Sequence, residues 1–171
     1  MRAHLILLTL LALAACSAEP DPPAAPQTEQ TTSAVASESA APSREGSPIL
    51  LAPLTPADRE AYPLEGELGC AFDSEEGALF IAFGDVGDEE RRAQALVKVA
   101  GQPERLTARE TGGYDGLPDG GVFAGPVMTI TVARTSETPL AEGESPPYPA
   151  KLLLEREGSA QTIPGRWTCG P

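Results

Sequence analysis

Histidine is all but absent from this chain. The single one, His4, lies within the first fifteen residues, ahead of anything that reads as a folded domain. This excludes Ser-His-Asp and Cys-His catalysis from the domain, together with every His-ligated metal site. Lysine is scarce as well. Lys98 and Lys151 are the only two, both in the middle of strand-like runs and expected on the exposed face, so nothing motivates a Ser-Lys dyad. No glycine-rich loop follows a strand and opens a helix, which leaves nucleotide binding without support. Neither a cofactor nor a metal is expected. Positive charge is in short supply: 12 Lys+Arg face 25 Asp+Glu, for a net charge of −13. Such a balance disfavours nucleic acid and anionic lipid headgroups as partners, and favours a basic protein or a cation. Solubility alone also accounts for it.

Long apolar runs are missing too. The longest, Leu5 to Leu13, is too short to span a bilayer as a helix. Its setting explains it. Residues 1–15, MRAHLILLTLLALAA, place a positive amino-terminal region before an apolar stretch and end on small residues, the order of a secretory signal. Leu13-Ala14-Ala15-Cys16 resembles the lipobox of bacterial lipoproteins. That resemblance implies cleavage before Cys16, acylation of its thiol (a palmitate-type modification) and a lipid anchor facing the periplasm. Two or three acyl chains anchor firmly, because each buried CH₂ contributes about 0.8 kcal/mol and one chain alone is marginal. In the same family Ser17, standing where an inner-membrane retention aspartate would be, implies the outer membrane. An ordinary cleavable signal followed by an incidental cysteine is the plainer alternative.

From Ser17 to Pro48 the composition shifts to Ala, Ser, Thr, Pro, Gln and Glu, with Val35 the only β-branched apolar residue. A segment so poor in apolar surface cannot offset its ordering entropy, so residues 16–48 read as an acylated cysteine and a disordered linker. Its span is on the order of 30 Å as a coil and about 100 Å as extended polyproline II. Residues 49–61 are a transition. Thr55-Pro56-Ala57-Asp58 predicts a short helical turn: Thr as the cap, Pro at the first helical position, then an acid. Pro63 limits it.

Residues 62–171 suffice for one domain. Short apolar or alternating runs lie near 66–73, 78–84, 94–100, 104–110, 121–125, 127–135, 149–157 and 161–169, separated by Gly, Asp, Pro and Ser. Met128, Ile130 and Val132 alternate with Thr129, Thr131 and Ala133, the period of a half-buried antiparallel strand. Leu79 to Phe83 is apolar on both faces, so that strand is expected to be central or covered. Ala100-Gly101 and Glu157-Gly158 mark hairpins. One segment reads two ways: in Asp88 to Leu96 acids lead and arginines follow, which also suits a short helix. The pattern predicts an all-β domain, a small antiparallel barrel or sandwich of about eight strands.

Three cysteines sharpen this. With Cys16 taken by lipid, Cys70 and Cys169 form an even pair in an oxidising compartment and predict a disulfide closing the domain. They fall in the first and last strands, whose Cα atoms must then approach within about 7 Å. Trp167, two residues before Cys169, is expected to pack on the bridge.

One loop, Glu110 to Pro126, stands out. Six glycines suggest pliability, and Tyr114 and Phe123 suggest contact area. Thr111, Gly112, Gly113, Tyr114, Asp115, Asp119 and Phe123 form the candidate binding loop. Asp115 and Asp119 lack the ligand series of a calcium loop. A wide hairpin turn is the blander reading. Thr111-Gly112-Gly113-Tyr114 is also similar to the Ser-Gly-rich loop of membrane-bound C-type lysozyme inhibitors, small lipoproteins with a disulfide-stapled antiparallel barrel. The likeness covers only architecture and this stretch; the serine is missing and no downstream lysine matches. Carboxylate chemistry is the other class left open, although Glu75-Glu76 and Asp88-Glu89-Glu90 read as solvated turns. The expectation is a non-enzymatic envelope lipoprotein whose β domain has a binding or structural role, with a lysozyme inhibitor and a carboxylate-dependent hydrolase as alternatives.

Overall fold

Period-two alternation of apolar residues commits most runs to strands with one buried face, the run Leu79–Phe83 excepted, and the tight turns between them fix antiparallel neighbours. A computed structural model describes residues 49–171; the expectations placed on residues 1–48, Cys16 and the linker among them, lie outside the described residues. A helical turn α1 (Pro56–Ala61) precedes eight strands: β1 (Leu68–Ser74), β2 (Gly77–Gly84), β3 (Gln94–Val99), β4 (Gln102–Ala108), β5 (Gly120–Ala124), β6 (Met128–Arg134), β7 (Tyr148–Arg156) and β8 (Ser159–Gly170). Each strand pairs with the next, and β8 pairs back onto β1, giving a closed barrel. All eight predicted strands are present, and of the two predicted architectures the barrel is the one formed.

Turn chemistry sets the registers. Ala100 (φ 48°) with Gly101 (φ 79°), and Glu157 (φ 45°) with Gly158 (φ 80°), are two-residue left-handed turns. Their flanking residues pair directly, Val99 with Gln102 and Arg156 with Ser159. Such turns match the twist of the strands they join. They start β4 at Gln102, two residues earlier than its apolar pattern suggested. The Asp88–Leu96 segment resolves as a loop running into β3, with no helix. The Asp88 side chain accepts from the Glu90 and Arg91 N–H groups, as a helix cap does. The burial of Ala93, Ala95, Leu96 and Val97, each at most 1% exposed, then favours a strand covered on both faces over a one-sided helix.

The interior is filled. Phe72, Phe80, Phe123, Ile130, Leu152, Leu154 and Trp167 are essentially inaccessible. Phe80 meets Phe123 edge to face with centroids 4.9 Å apart, and Trp167 lies 6.1 Å from Phe80, favourable arrangements for aromatic rings. The inward positions are largely apolar, unlike the polar lumen of a channel-forming membrane barrel, while the outward positions mix charged residues and threonines with aliphatic ones such as Ile81, Leu96, Val122 and Leu153. Cys70 stands opposite Cys169 in the β1–β8 register and is bonded to it, with Cα atoms 4.0 Å apart and a sequence separation of 99. Phe72 faces Trp167 in the next-but-one pair, so the tryptophan packs in the core beside the bridge as expected.

Residues 49–64 form a strap along the outside of β1–β3. Leu51 bridges Val99, Ala52 N–H donates to Lys98 O, and Leu54 N–H donates to Ala78 O. Leu54 and Leu64 cover Ile81, Leu96, Phe83 and Ala71 in a second apolar cluster outside the barrel. This explains why β2 is apolar on both faces. It also corrects the expected exposure of Lys98, whose ammonium is 2.9 Å from Asp58 on α1, with both side chains largely covered. Lys151 is exposed as expected.

Asp58 ties the strap down. Its N–H donates to the Thr55 hydroxyl while its carboxylate accepts from the Thr55 hydroxyl and N–H, a reciprocal cap. The Thr55 hydroxyl, the Thr55 N–H and then the Lys98 ammonium hold the Asp58 carboxyl at about 2, below its usual 3.8. A pKa lower in the folded state contributes stability above the unfolded value, and that stability is lost as pH falls from about 4 toward 2. Asp58→Asn is therefore expected to lower the melting temperature at pH 6, with the gap to wild type closing between pH 4 and pH 2. Thermal melts across that range check this; a gap independent of pH would remove the charge from the account.

Candidate functional site

An up-and-down barrel sorts its connections between two ends. The β1–β2, β3–β4, β5–β6 and β7–β8 turns gather at one, the hairpin end. The long loops 85–93, 109–119 and 135–147 gather at the other, beside residues 65–67 and the carboxyl terminus. Binding residues concentrate on loops held by a rigid frame, and the predicted binding loop lies at this loop end.

Its geometry is not that of a free loop. Gly112 and Gly113 N–H groups both donate to Arg91 O, at 3.0 and 2.9 Å, and Tyr114 N–H donates to Asp85 O at 3.0 Å. Internal bonds follow from Gly116 to Gly112, Leu117 to Tyr114 and Gly120 to Leu117. Leu117, only 2% exposed, turns down into the barrel and closes it, and its carbonyl accepts from Trp167 Nε1 at 2.9 Å. The loop is a plug. Two of its glycines serve close approach rather than pliability: a Cβ on Gly113 would press into Asp85 O and one on Gly120 into Val132 O, while on the facing strand a Cβ on Gly84 would lie 2.5 Å from the Gly113 backbone.

The predicted residues separate accordingly. Thr111 is exposed, Gly112 and Tyr114 are half-buried, and Gly113 is buried. Tyr114 packs against the core cluster. Phe123 offers no contact area, because it belongs to β5 and points into the core, fully buried. Asp115 and Asp119 are exposed but occupied. Asp115 accepts from Gly87 N–H, and Asp119 pairs with Arg134 Nη1 at 2.9 Å. Among the described residues no cluster of His, Cys, Asp or Glu is arranged to hold a metal ion.

Arg134 escaped the sequence reading. Its guanidinium joins Asp119 of one loop to Glu137 of the next and lies 3.7 Å over the Tyr148 ring, clamping two loops to β6 and β7. Only the placement of an arginine at a strand end hinted at it. A groove of about 580 Å³ was missed as well. It runs outside β1 and β8 over a floor of Gly69, Ala71 and Thr168, between Phe83 with Ile81 on one side and Pro147 on the other. Its small floor residues gave no sequence signal.

What the loop end does carry is charge. Glu65, Glu67, Asp85, Asp88, Glu89 and Glu90 crowd one sector, and Glu110, Glu137, Glu142 and Glu144 continue around the rim. Arg91 bridges Glu65 and Asp85, and Arg92 and Arg109 are the other bases on these loops. Glu89, Glu90, Glu142 and Glu144 are exposed. The Glu75-Glu76 turn lies at the hairpin end, on the far side of the barrel from this rim.

Because the plug closes the core, Leu117→Ala is expected to cost about 2–5 kcal/mol, as for other buried leucine truncations. It is also expected to shift the emission of the sole tryptophan, Trp167, to longer wavelength as water reaches it. Denaturant titration followed by fluorescence checks both; an unchanged midpoint would show the loop to be dispensable. Comparison with family models, with curated proteins and with solved structures finds no match for this chain.

Proposed function

We propose that this chain is a lipid-anchored envelope lipoprotein, held at a membrane through Cys16 and facing the periplasm, whose barrel is a non-enzymatic binding module for a basic protein. The observation that carries the reading is the polarity of the domain. The strap begins at the hairpin end, where Ala100 N–H donates to Leu50 O, and runs along the wall to the loop end, where Glu67 N–H donates to Gly84 O. The linker of residues 16–48 therefore joins the described domain at its hairpin end, which leaves the acidic loop end clear of the attachment point. The filled interior leaves the outer surface for recognition, in contrast to barrels that hold a ligand inside. An acidic rim attracts a cationic partner and speeds its encounter. Ser17 supports placement on the outer membrane.

A disulfide-stapled antiparallel barrel also suits the lysozyme-inhibitor reading, and a C-type lysozyme is a ready basic probe. Against it, Thr111–Tyr114 is tied beneath Asp85 and Arg91 rather than projecting as an insertion loop.

Labelled palmitate is expected to enter the wild-type chain and not Cys16→Ala, which should also leave the membrane fraction or stay uncleaved; an unlabelled wild type would overturn the anchor. A photocrosslinker at Glu89 should capture a protein partner in cells where the same probe at Glu76 does not, and Glu89→Arg with Glu90→Arg should weaken the purified pair by about 1 kcal/mol or more, the scale of an interface contact that matters. Equal capture from both ends would overturn the polarity. Inhibition of a C-type lysozyme by the purified chain would favour the second reading.

A further inference from the structure

The barrel wall is covered on one side only. The strap lies over β1–β3, whereas the outer face of β4–β7 has no covering element among the described residues. Its centre is a row in register: Val122 beside Thr131, Thr131 beside Leu153, with Arg109 N–H donating to Val122 O at the edge. Ala124, Thr129 and Ala133 surround this row, all half-buried and none charged. Bases flank it. Arg105 and Arg109 project from β4 and just beyond it, and Lys151 projects from β7, about 14 Å across three strand spacings. None of the three forms an ion pair among the described residues, although Arg109 Nη2 donates to Thr129 Oγ1 at 3.4 Å; Arg59 and Arg92 are likewise without an ion pair, while Arg91, Lys98, Arg134, Arg156 and Arg166 have one. Glu155 is the single acid at the outward positions of β4–β7. In a chain of net charge −13, a wall of this composition is the exception.

We infer that this face docks a second copy of the same chain, through that copy's 135–147 loop. The loop carries the complementary chemistry. Leu140 is 61% exposed, yet it is held in place by its N–H donating to Pro147 O at 2.8 Å. Glu142 and Glu144 follow it, exposed and without a cationic partner among the described residues. An apolar knob beside two carboxylates matches a small apolar row flanked by bases that form no ion pair among the described residues. The loop's base is fixed by Arg134, which bonds Glu137 and stacks on Tyr148, so little freedom is lost on docking. Loop and wall are different patches, so the contact is heterologous and propagates from copy to copy unless it closes into a ring. The inference rests on the proposed anchor in one respect: tethering in a single plane raises the concentration at which copies meet. Overall repulsion between acidic domains is screened beyond about 8 Å at physiological salt, whereas the docked groups lie closer than that.

The test uses the full chain in phosphatidylcholine vesicles, with a photocrosslinker at Leu140. A covalent dimer is expected whose partner peptide comes from β5, β6 or β7. Its yield should fall severalfold at 1 M salt, where screening acts within about 3 Å. Arg109→Glu with Lys151→Glu should abolish it, and Glu142→Lys with Glu144→Lys on the probe-bearing copy should restore it. Emission of the buried Trp167 at the wild-type wavelength certifies that each variant is folded. Monomer alone, a crosslink to β1–β3, or a dimer indifferent to charge reversal overturns the inference. None of those outcomes bears on the anchor, which palmitate labelling of the same preparation reads independently.

Discussion

Closure of β8 onto β1 is the constraint on which the rest of this structure depends. An eight-stranded sheet left open would expose two rows of backbone donors and acceptors, an invitation to pair with other chains. Pairing Gly69–Asp73 with Arg166–Gly170 removes both edges at once and brings Cys70 against Cys169. The covalent bond then restricts the unfolded chain across almost the whole domain, worth up to roughly 4.7 kcal/mol in the chain-entropy account and less in practice. Closure also demands room. A Cβ on Gly165 would meet the Phe72 ring at 2.6 Å, and one on Gly69 would meet the Phe83 ring at 2.8 Å. Glycine on both sides of the seam lets the large rings lie close over the backbone.

The closed ring leaves the barrel's mouths as the remaining weak points, and the two ends solve this differently. The hairpin end is short and tight, with the first residues of the strap laid against it. At the loop end Leu117 fills the mouth and offers its carbonyl to the buried Trp167 indole, which would otherwise carry an unpaired donor. Disulfide, tryptophan and plug therefore form one continuous unit, from Cys169 through Trp167 to Leu117. Loops 85–93 and 109–119 are stitched together by the Arg91 and Asp85 carbonyls, and loops 109–119 and 135–147 by Arg134. The loop end is a built surface.

Strand positions were legible because alternation is local: Ile130 or Leu152 announces its face from two residues away. The bridge was legible because compartment and cysteine number left one pairing. Barrel closure was only half legible, since β4 and β5 must find each other across the 109–119 loop with just two registered pairs, Thr107–Ala124 and Ala108–Phe123. The plug was misread for a deeper reason. Glycine signals either freedom or crowding, and sequence alone does not say which. Gly113 is crowded by Asp85, twenty-eight positions away in the chain. Lys98 was misplaced likewise, because its cover comes from Asp58 on a helical turn that sequence could predict but not dock.

Net charge hides the same kind of information. A total of −13 excludes anionic partners only if the charge is evenly spread, and here it is not. The strap neutralises Lys98, and paired carboxylates occupy Arg91, Arg134, Arg156 and Arg166. Acids dominate the loops, while outward positions on the wall from β4 to β7 are threonine, alanine and aliphatic with bases at the margins. The division follows from topology. Loops must be polar because their backbones face water, whereas an outward strand position tolerates small β-branched and apolar residues that fit a pleated surface. At separations beyond a Debye length the sum governs solubility; at contact, the local pattern governs which surface meets which.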